Sequence, residues 1–200
     1  MLPQHLINSV KLQIRMIIGI TGTLGAGKGT IVEFLKQKGF MHFSVREYLN
    51  AKLESRGLPL NRDNQANLAN ELRTTHSPSF IVEQLLERAK AKAENVIIES
   101  IRSVAEAQLI KQGGILLAVD ADPQIRYDRI SERKSETDKI SYEKFLEQEK
   151  REMFSTNPHQ QNLSECIKMA DFVLENNETI EVLNEKIREV YERILNMASE

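Results

Sequence analysis

Apolar residues along the chain fall into two alternating kinds of pattern. Residues 16–20, 95–99, 115–120 and 170–176 are nearly continuous apolar runs, and 40–43 is a shorter one. Between them, apolar positions recur every three or four residues. These stretches predict helices over 31–38, 45–55, 62–75, 78–93, 104–112, 123–133, 141–152, 164–169 and 179–197. A strand that is apolar at every position is covered on both faces, and strands alternating with helices demand crossover connections. The pattern therefore predicts an α/β fold of three layers around a five-stranded parallel sheet.

Local punctuation supports these boundaries. Lys38-Gly39 stops the first helix, and Gly57-Leu58-Pro59 stops the second. Ser44, Asp63 and Ser141 are positioned to cap the helices that follow them. Residues 1–13 form an N-terminal extension whose scattered Leu2, Leu6, Val10 and Leu12 fit a frayed helix, a packed extension or a tail equally well. The remaining residues, 14–200, read as one domain, with a helical insert over about 44–93 and a polar, charged segment over about 126–152.

The stretch with chemical content is Gly22-Thr23-Leu24-Gly25-Ala26-Gly27-Lys28-Gly29-Thr30, between the first strand and the first helix. Glycines at 22, 25 and 27 allow a tight turn in which several N–H groups face one point, and the following helix adds its positive N-terminus. Such a cradle fits a polyphosphate. Lys28 would reach the β- and γ-phosphate oxygens, and the Thr30 hydroxyl would join the shell of a Mg²⁺ ion. The usual loop places Ser or Thr directly after the Lys, where this chain has Gly29. A plain glycine-rich turn is the bland alternative, and the strand and helix flanks disfavour it.

Parallel sheets collect ligands at the carboxyl ends of their strands, and the phosphate loop, Ser44, Glu99 and Asp120 all fall there. Arg126, Arg129 and Arg133 share one helix face. They either meet an anionic or acidic group or are neutralised on a solvated face by Asp122, Asp128, Glu132 and Glu136. The polar residues 134–139 make this region a candidate lid. His42 and His76 have no partners at metal-ligand spacing and read as packing and surface residues. Cys166 is the only cysteine and reads as core.

Composition narrows the function classes. A net charge of −2 argues against a general nucleic-acid binder. A lone cysteine, with no secretory signal pattern and no apolar run of eighteen residues, makes a reducing cytoplasmic setting the default and predicts no membrane partner.

From residue 16 to 190 the chain resembles P-loop small-molecule kinases of the nucleoside monophosphate kinase group, and within it dephospho-CoA kinase and its archaeal-type relatives. The resemblance is carried by the Gly-Lys-Gly-Thr loop, by Ile98-Glu99-Ser100-Ile101-Arg102, by Arg126-Tyr127-Asp128-Arg129 with Glu132-Arg133, and by 170–177 followed by Leu183 and Val190. It implies an ATP- and Mg²⁺-dependent transfer of a phosphoryl group to a small nucleotide-like acceptor. In that reading the loop and Lys28 hold the donor phosphates. Glu99, with Thr30, holds the metal through water, or orients the acceptor. Arg102 and Arg73, with Ser44 and Glu47, receive the acceptor, and Arg129 and Arg133 close over the donor. Two departures matter: the Thr-Gly-Asp segment of adenylate kinases is replaced by Ser44-Val45-Arg46, and the Asp-Ala-Asp of dephospho-CoA kinases is absent after the second strand. A GTPase is disfavoured by the lack of Asp-x-x-Gly and Asn-Lys-x-Asp. A P-loop ATPase acting on a macromolecular partner is the rival reading, and oligomeric state is open.

Overall fold

The computed structural model describes residues 15–133 and 140–197. The N-terminal extension, 1–13, and the lid segment, 134–139, lie outside the described residues. In chain order the elements are β1 Met16–Gly22, α1 Lys28–Gln37, β2 Met41–Ser44, α2 Val45–Ser55, α3 Arg62–Thr75, α4 Phe80–Lys90 and β3 Asn95–Ile101. They continue with α5 Val104–Lys111, β4 Ile115–Asp120, α6 Pro123–Glu132, α7 Tyr142–Met153, α8 Leu163–Lys168, β5 Phe172–Glu175 and α9 Ile180–Met197.

The five strands form one sheet in the order β2-β3-β1-β4-β5, and every pairing is parallel. The expected three-layer α/β/α architecture is present. Alternation within each run explains how continuous apolar strands serve two cores. Ile18, Ile20, Ile97, Leu117 and Val119 pack against α1 and α9, whereas Ile98, Ile101 and Leu116 pack against the helices of the opposite layer. Cys166 joins the second core, fully buried, and burial pushes its thiol up to about 12, which leaves it an inert packing group.

A small third cluster fastens the charged segment to the loop. Leu24 of the glycine-rich loop packs with Ile130 of α6 and Phe145 of α7, with Tyr127, Ile140 and Tyr142 around them. Helices α6 and α7 are thereby docked on the glycine-rich loop.

One expected cap is corrected. Asn61, not Asp63, caps α3, its side chain accepting from the Asn64 N–H at 2.8 Å. Asp63 already lies within the helix, and its carboxylate accepts from Arg151 of α7 at 2.7 Å. Ser44 and Ser141 cap α2 and α7 as expected, and no helix among the described residues is long and apolar enough to cross a membrane.

Candidate active site

The loop from Gly22 to Thr30 leaves β1 and turns into α1 through left-handed backbone at Gly27, where φ is +111°. A side chain at Gly22 would place its Cβ 2.1 Å from the Val119 carbonyl oxygen, so only glycine lets β1 and β4 stay paired up to the mouth of the loop. No side chain caps α1. Its first N–H groups therefore face outward as an anion-binding end. Thr23 is braced from β4: its hydroxyl donates to Asp120 at 2.5 Å.

Lys28 folds back on the loop, its ammonium donating to Gly22 O at 2.9 Å and Thr23 O at 2.7 Å. Burial pulls its pKa down to about 7, and the Arg102 guanidinium adds to the effect. Glu99 lies near the carboxyl end of the neighbouring strand β3. Burial alone would raise its pKa, yet His42, whose Nε2 stands 3.9 Å away, the Lys28 charge and the Ser100 hydroxyl outweigh burial and hold it at about 2. Glu99 is therefore an ionised carboxylate beside the phosphate loop.

The backbone is distorted to achieve this. The β1–β3 register shifts between Ile20 and Thr21, and Ser100 opposite has φ +72°, the only positive φ among the described non-glycine residues. This bulge re-aims the residues that follow it. Glu99 and Arg102 thus reach the site from the end of one strand.

Two cavities flank the loop. On one side Gly25, Gly27, Thr30, Arg129, Arg133 and Asn176 line a space of about 350 Å³. Arg129 is held there by the carbonyls of Asn176 at 2.9 Å and Glu178 at 3.3 Å, while Asn176 donates to Ala26 O at 2.7 Å. On the other side Leu24 forms part of the wall of a cleft of about 300 Å³. Its walls come from α2, α3, the end of β3, α7 and the 154–162 connector, and Arg46, Arg62, Arg73, Arg102 and Glu152 face it.

The site residues expected from sequence are distributed as follows. Arg73 and Arg102 both line the cleft, and Arg129 and Arg133 line the other cavity. Thr30 sits with Arg129 and Arg133 in the cavity beside Gly25 and Gly27. Ser44 donates to Glu99 Oε2 at 3.1 Å. Glu47 is exposed, and its backbone N–H donates to the Ser44 hydroxyl at 3.4 Å. Arg126 is buried and is met by an acidic group, Glu149 of α7, in two bonds of 2.6 and 2.7 Å, rather than by the acids of its own helix. Arg46 and Arg62 were not expected in the site, and only their arginine side chains within the helical insert could have signalled them.

The donors fit a magnesium ion carried in with phosphates. Among the described residues no group of three or more His, Cys, Asp or Glu side chains forms a dedicated metal cage. An ionised Glu99 next to hydroxyls and a phosphate cradle suits an ion that keeps most of its waters.

Comparison with known proteins gives the same fold. TT1252 from Thermus thermophilus superimposes with a TM-score of 0.58 at 22% identity, covering 91% of this chain and 99% of that one. Shikimate kinase from Bacteroides thetaiotaomicron superimposes with a TM-score of 0.56 at 15% identity, covering 88% of this chain and 97% of that one. The fold is thus P-loop kinase-like. In sequence, a UPF0200 protein of Methanococcus vannielii is 31% identical over 185 residues, 90% of this chain and 96% of the relative. Residues 18–155 match the AAA domain model, a span that includes the phosphate loop, Glu99 and the arginine-lined cleft. On that match and on the relative's near-complete coverage, the chain belongs to the AAA domain family and to the UPF0200 proteins.

Proposed function

We propose that the protein is an ATP-dependent small-molecule kinase that transfers the γ-phosphoryl group to a nucleotide-like acceptor, of the dephospho-CoA or ribo- or deoxyribonucleoside monophosphate kind. One observation carries the reading: a phosphate loop with a cavity on either side, the second a cleft lined by four arginines. A hydrolase needs only one substrate space beside its loop. Two spaces on either side of the loop, one walled by Leu24 and the other by Gly25 and Gly27, suit a donor and an acceptor.

In this reading the loop amides and Lys28 bind and orient the donor phosphates, and the Arg129–Arg133 side holds the rest of the donor nucleotide. The Thr30 hydroxyl, on that same side, adds a donor-phosphate or metal contact. Arg102 and Arg73 receive the acceptor's anionic group. Glu99 and Ser44 orient the acceptor or a metal-bound water. A bound Mg²⁺ would supply charge neutralisation at the transferring group. Phosphoryl transfer asks for in-line positioning and charge compensation more than for covalent chemistry, which matches a site rich in cations and backbone N–H groups.

The test is ADP production from Mg·ATP by the purified protein, with dephospho-CoA and each nucleoside monophosphate added separately. Stimulation by one acceptor supports the kinase, and Lys28→Ala should then abolish transfer with the fold intact. Hydrolysis indifferent to every acceptor would instead favour an ATPase acting on a macromolecular partner.

A further inference from the structure

Charge in the arginine-lined cleft is compensated unevenly. Arg62 Nη2 donates to Glu152 Oε1 at 2.8 Å, and Arg102 Nη1 donates to the other oxygen of the same carboxylate. Arg73 is 1% exposed, and its Nε and Nη2 both donate to Glu106 Oε1, at 2.9 and 2.8 Å. Its Nη1 is buried without a hydrogen-bond partner, on the wall of the cleft. Arg46, at the same wall, has no ion-pair partner among the described residues.

A buried guanidinium N–H with nothing to donate to is costly, and a fold retains one where a ligand supplies the acceptor. Glu152 shows what such a ligand looks like. It is buried, arrives from α7, and presents two anionic oxygens to two guanidinium groups, the arrangement arginines make with carboxylates and phosphates alike. The attraction of Arg102 and Arg62 overrides burial and keeps the Glu152 pKa below the ordinary carboxylate range.

We propose that Glu152 is an internal occupant of the acceptor's anion site, displaced from Arg62 and Arg102 when the acceptor's phosphate enters and takes the free Nη1 of Arg73. The inference rests on the kinase reading and sharpens it. Glu152 becomes a specificity residue. A neutral acceptor gives the two arginines nothing in exchange for the carboxylate. A carboxylate exchanges like for like, whereas a phosphate monoester brings more charge than it displaces and finds Arg73 and Arg46 waiting. The acceptor class is therefore a phosphate monoester, which keeps the nucleoside monophosphates of the kinase reading and drops dephospho-CoA, whose diphosphate is esterified at both ends.

The test is binding, with the phosphate loop first filled by Mg²⁺ and a non-hydrolysable ATP analogue so that added inorganic phosphate has only the cleft to enter. Isothermal titration would compare the native protein with Glu152→Gln and Glu152→Asp. Glu152→Asp keeps the charge, and with it the fold, but is one methylene short of spanning both arginines. Glu152→Gln should bind phosphate at least tenfold more tightly than the native protein, with Glu152→Asp between them. Its melting temperature, lowered by two uncompensated arginines, should recover as phosphate is added. Equal phosphate affinity in the native and Glu152→Asp proteins overturns the inference, even if Glu152→Gln fails to fold. Because no turnover is read, the two readings separate. Acceptor-stimulated transfer with phosphate affinity unmoved by either variant leaves the kinase and sinks the role of Glu152. Tighter phosphate binding in a protein whose hydrolysis no acceptor stimulates keeps the anion site and sinks the kinase.

Discussion

Lys28 stands in its site as an amine near its midpoint at neutral pH, because burial has removed the water that would hold its charge. A triphosphate restores the reason to be charged. Nucleotide binding at pH 8 should therefore take up close to one proton, seen by calorimetry in two buffers of different ionisation enthalpy. Lys28→Met should bind more weakly and without uptake, and equal uptake in both proteins would remove Lys28 as the group responsible. The glycines beside it differ just as sharply. Gly22→Ala forces a Cβ to 2.1 Å from the Val119 carbonyl, at φ +134°, and should cost about 3 kcal/mol or more. Gly29, inside α1, has nothing within 4 Å of an added Cβ, so Gly29→Ala should be neutral or stabilise by up to about 1 kcal/mol. Urea midpoints of the two variants check both signs.

At the scale of elements, the most consequential tie is between α3 and α5. Ser103 and Glu106 form a capping box at the start of α5, and the same Glu106 carboxylate holds Arg73 of α3 with both groups essentially unexposed. Breaking such a pair from one side leaves an uncompensated buried charge, so Glu106→Gln should lose about 3–5 kcal/mol by denaturant unfolding. The apolar double replacement Arg73→Met with Glu106→Leu should recover only part of it, because the Arg102 and Ser103 N–H groups that donate to Glu106 Oε2 lose their acceptor. This tie also marks the boundary of what the sequence reveals. Helices α2 and α3 run over the residues that their periodicity and stop signals predict, and Ser44 and Ser141 cap as expected, since these depend on neighbours within a few positions. The arginines of α6 were visible as one face, but the partner of Arg126 lies 23 residues on, in α7. Asp63 looked like a cap and is instead half of an interhelix pair 88 residues apart. Local spacing encodes elements; the assembly of Arg46, Arg62 and Glu152 into one cleft wall is set by tertiary packing, which no window of the sequence contains.

Taken as a whole, the molecule has little net charge, and its unusual electrostatics are concentrated where the sheet's carboxyl ends meet the phosphate loop. That site makes stability depend on pH in two windows. Glu99, held at about 2 against 4.5 for a solvated glutamate, contributes stability that is fully present above about 4.5 and is lost as pH falls toward 2, roughly 3 kcal/mol in total. Lys28 works in the opposite sense. Its folded pKa of about 7 lies below the 10.5 it has when solvated, so the fold binds fewer protons than the unfolded chain between those values, and stability rises with pH across that window. Below pH 7 the ammonium is charged in both states and the full penalty of burying it is present. Unfolding by urea at pH 7 and pH 9 should accordingly show the ligand-free protein gaining about 2 kcal/mol relative to Lys28→Met, the comparison that cancels every other group titrating in the range. A magnesium–nucleotide analogue bound at the loop should flatten the native profile toward that of Lys28→Met, because the phosphates keep the ammonium charged across the whole window. A native protein whose stability stays parallel to that of Lys28→Met from pH 7 to 9 would mean that Lys28 is solvated in the ligand-free state, and that the closed loop with its lysine folded onto Gly22 and Thr23 forms only when the nucleotide arrives.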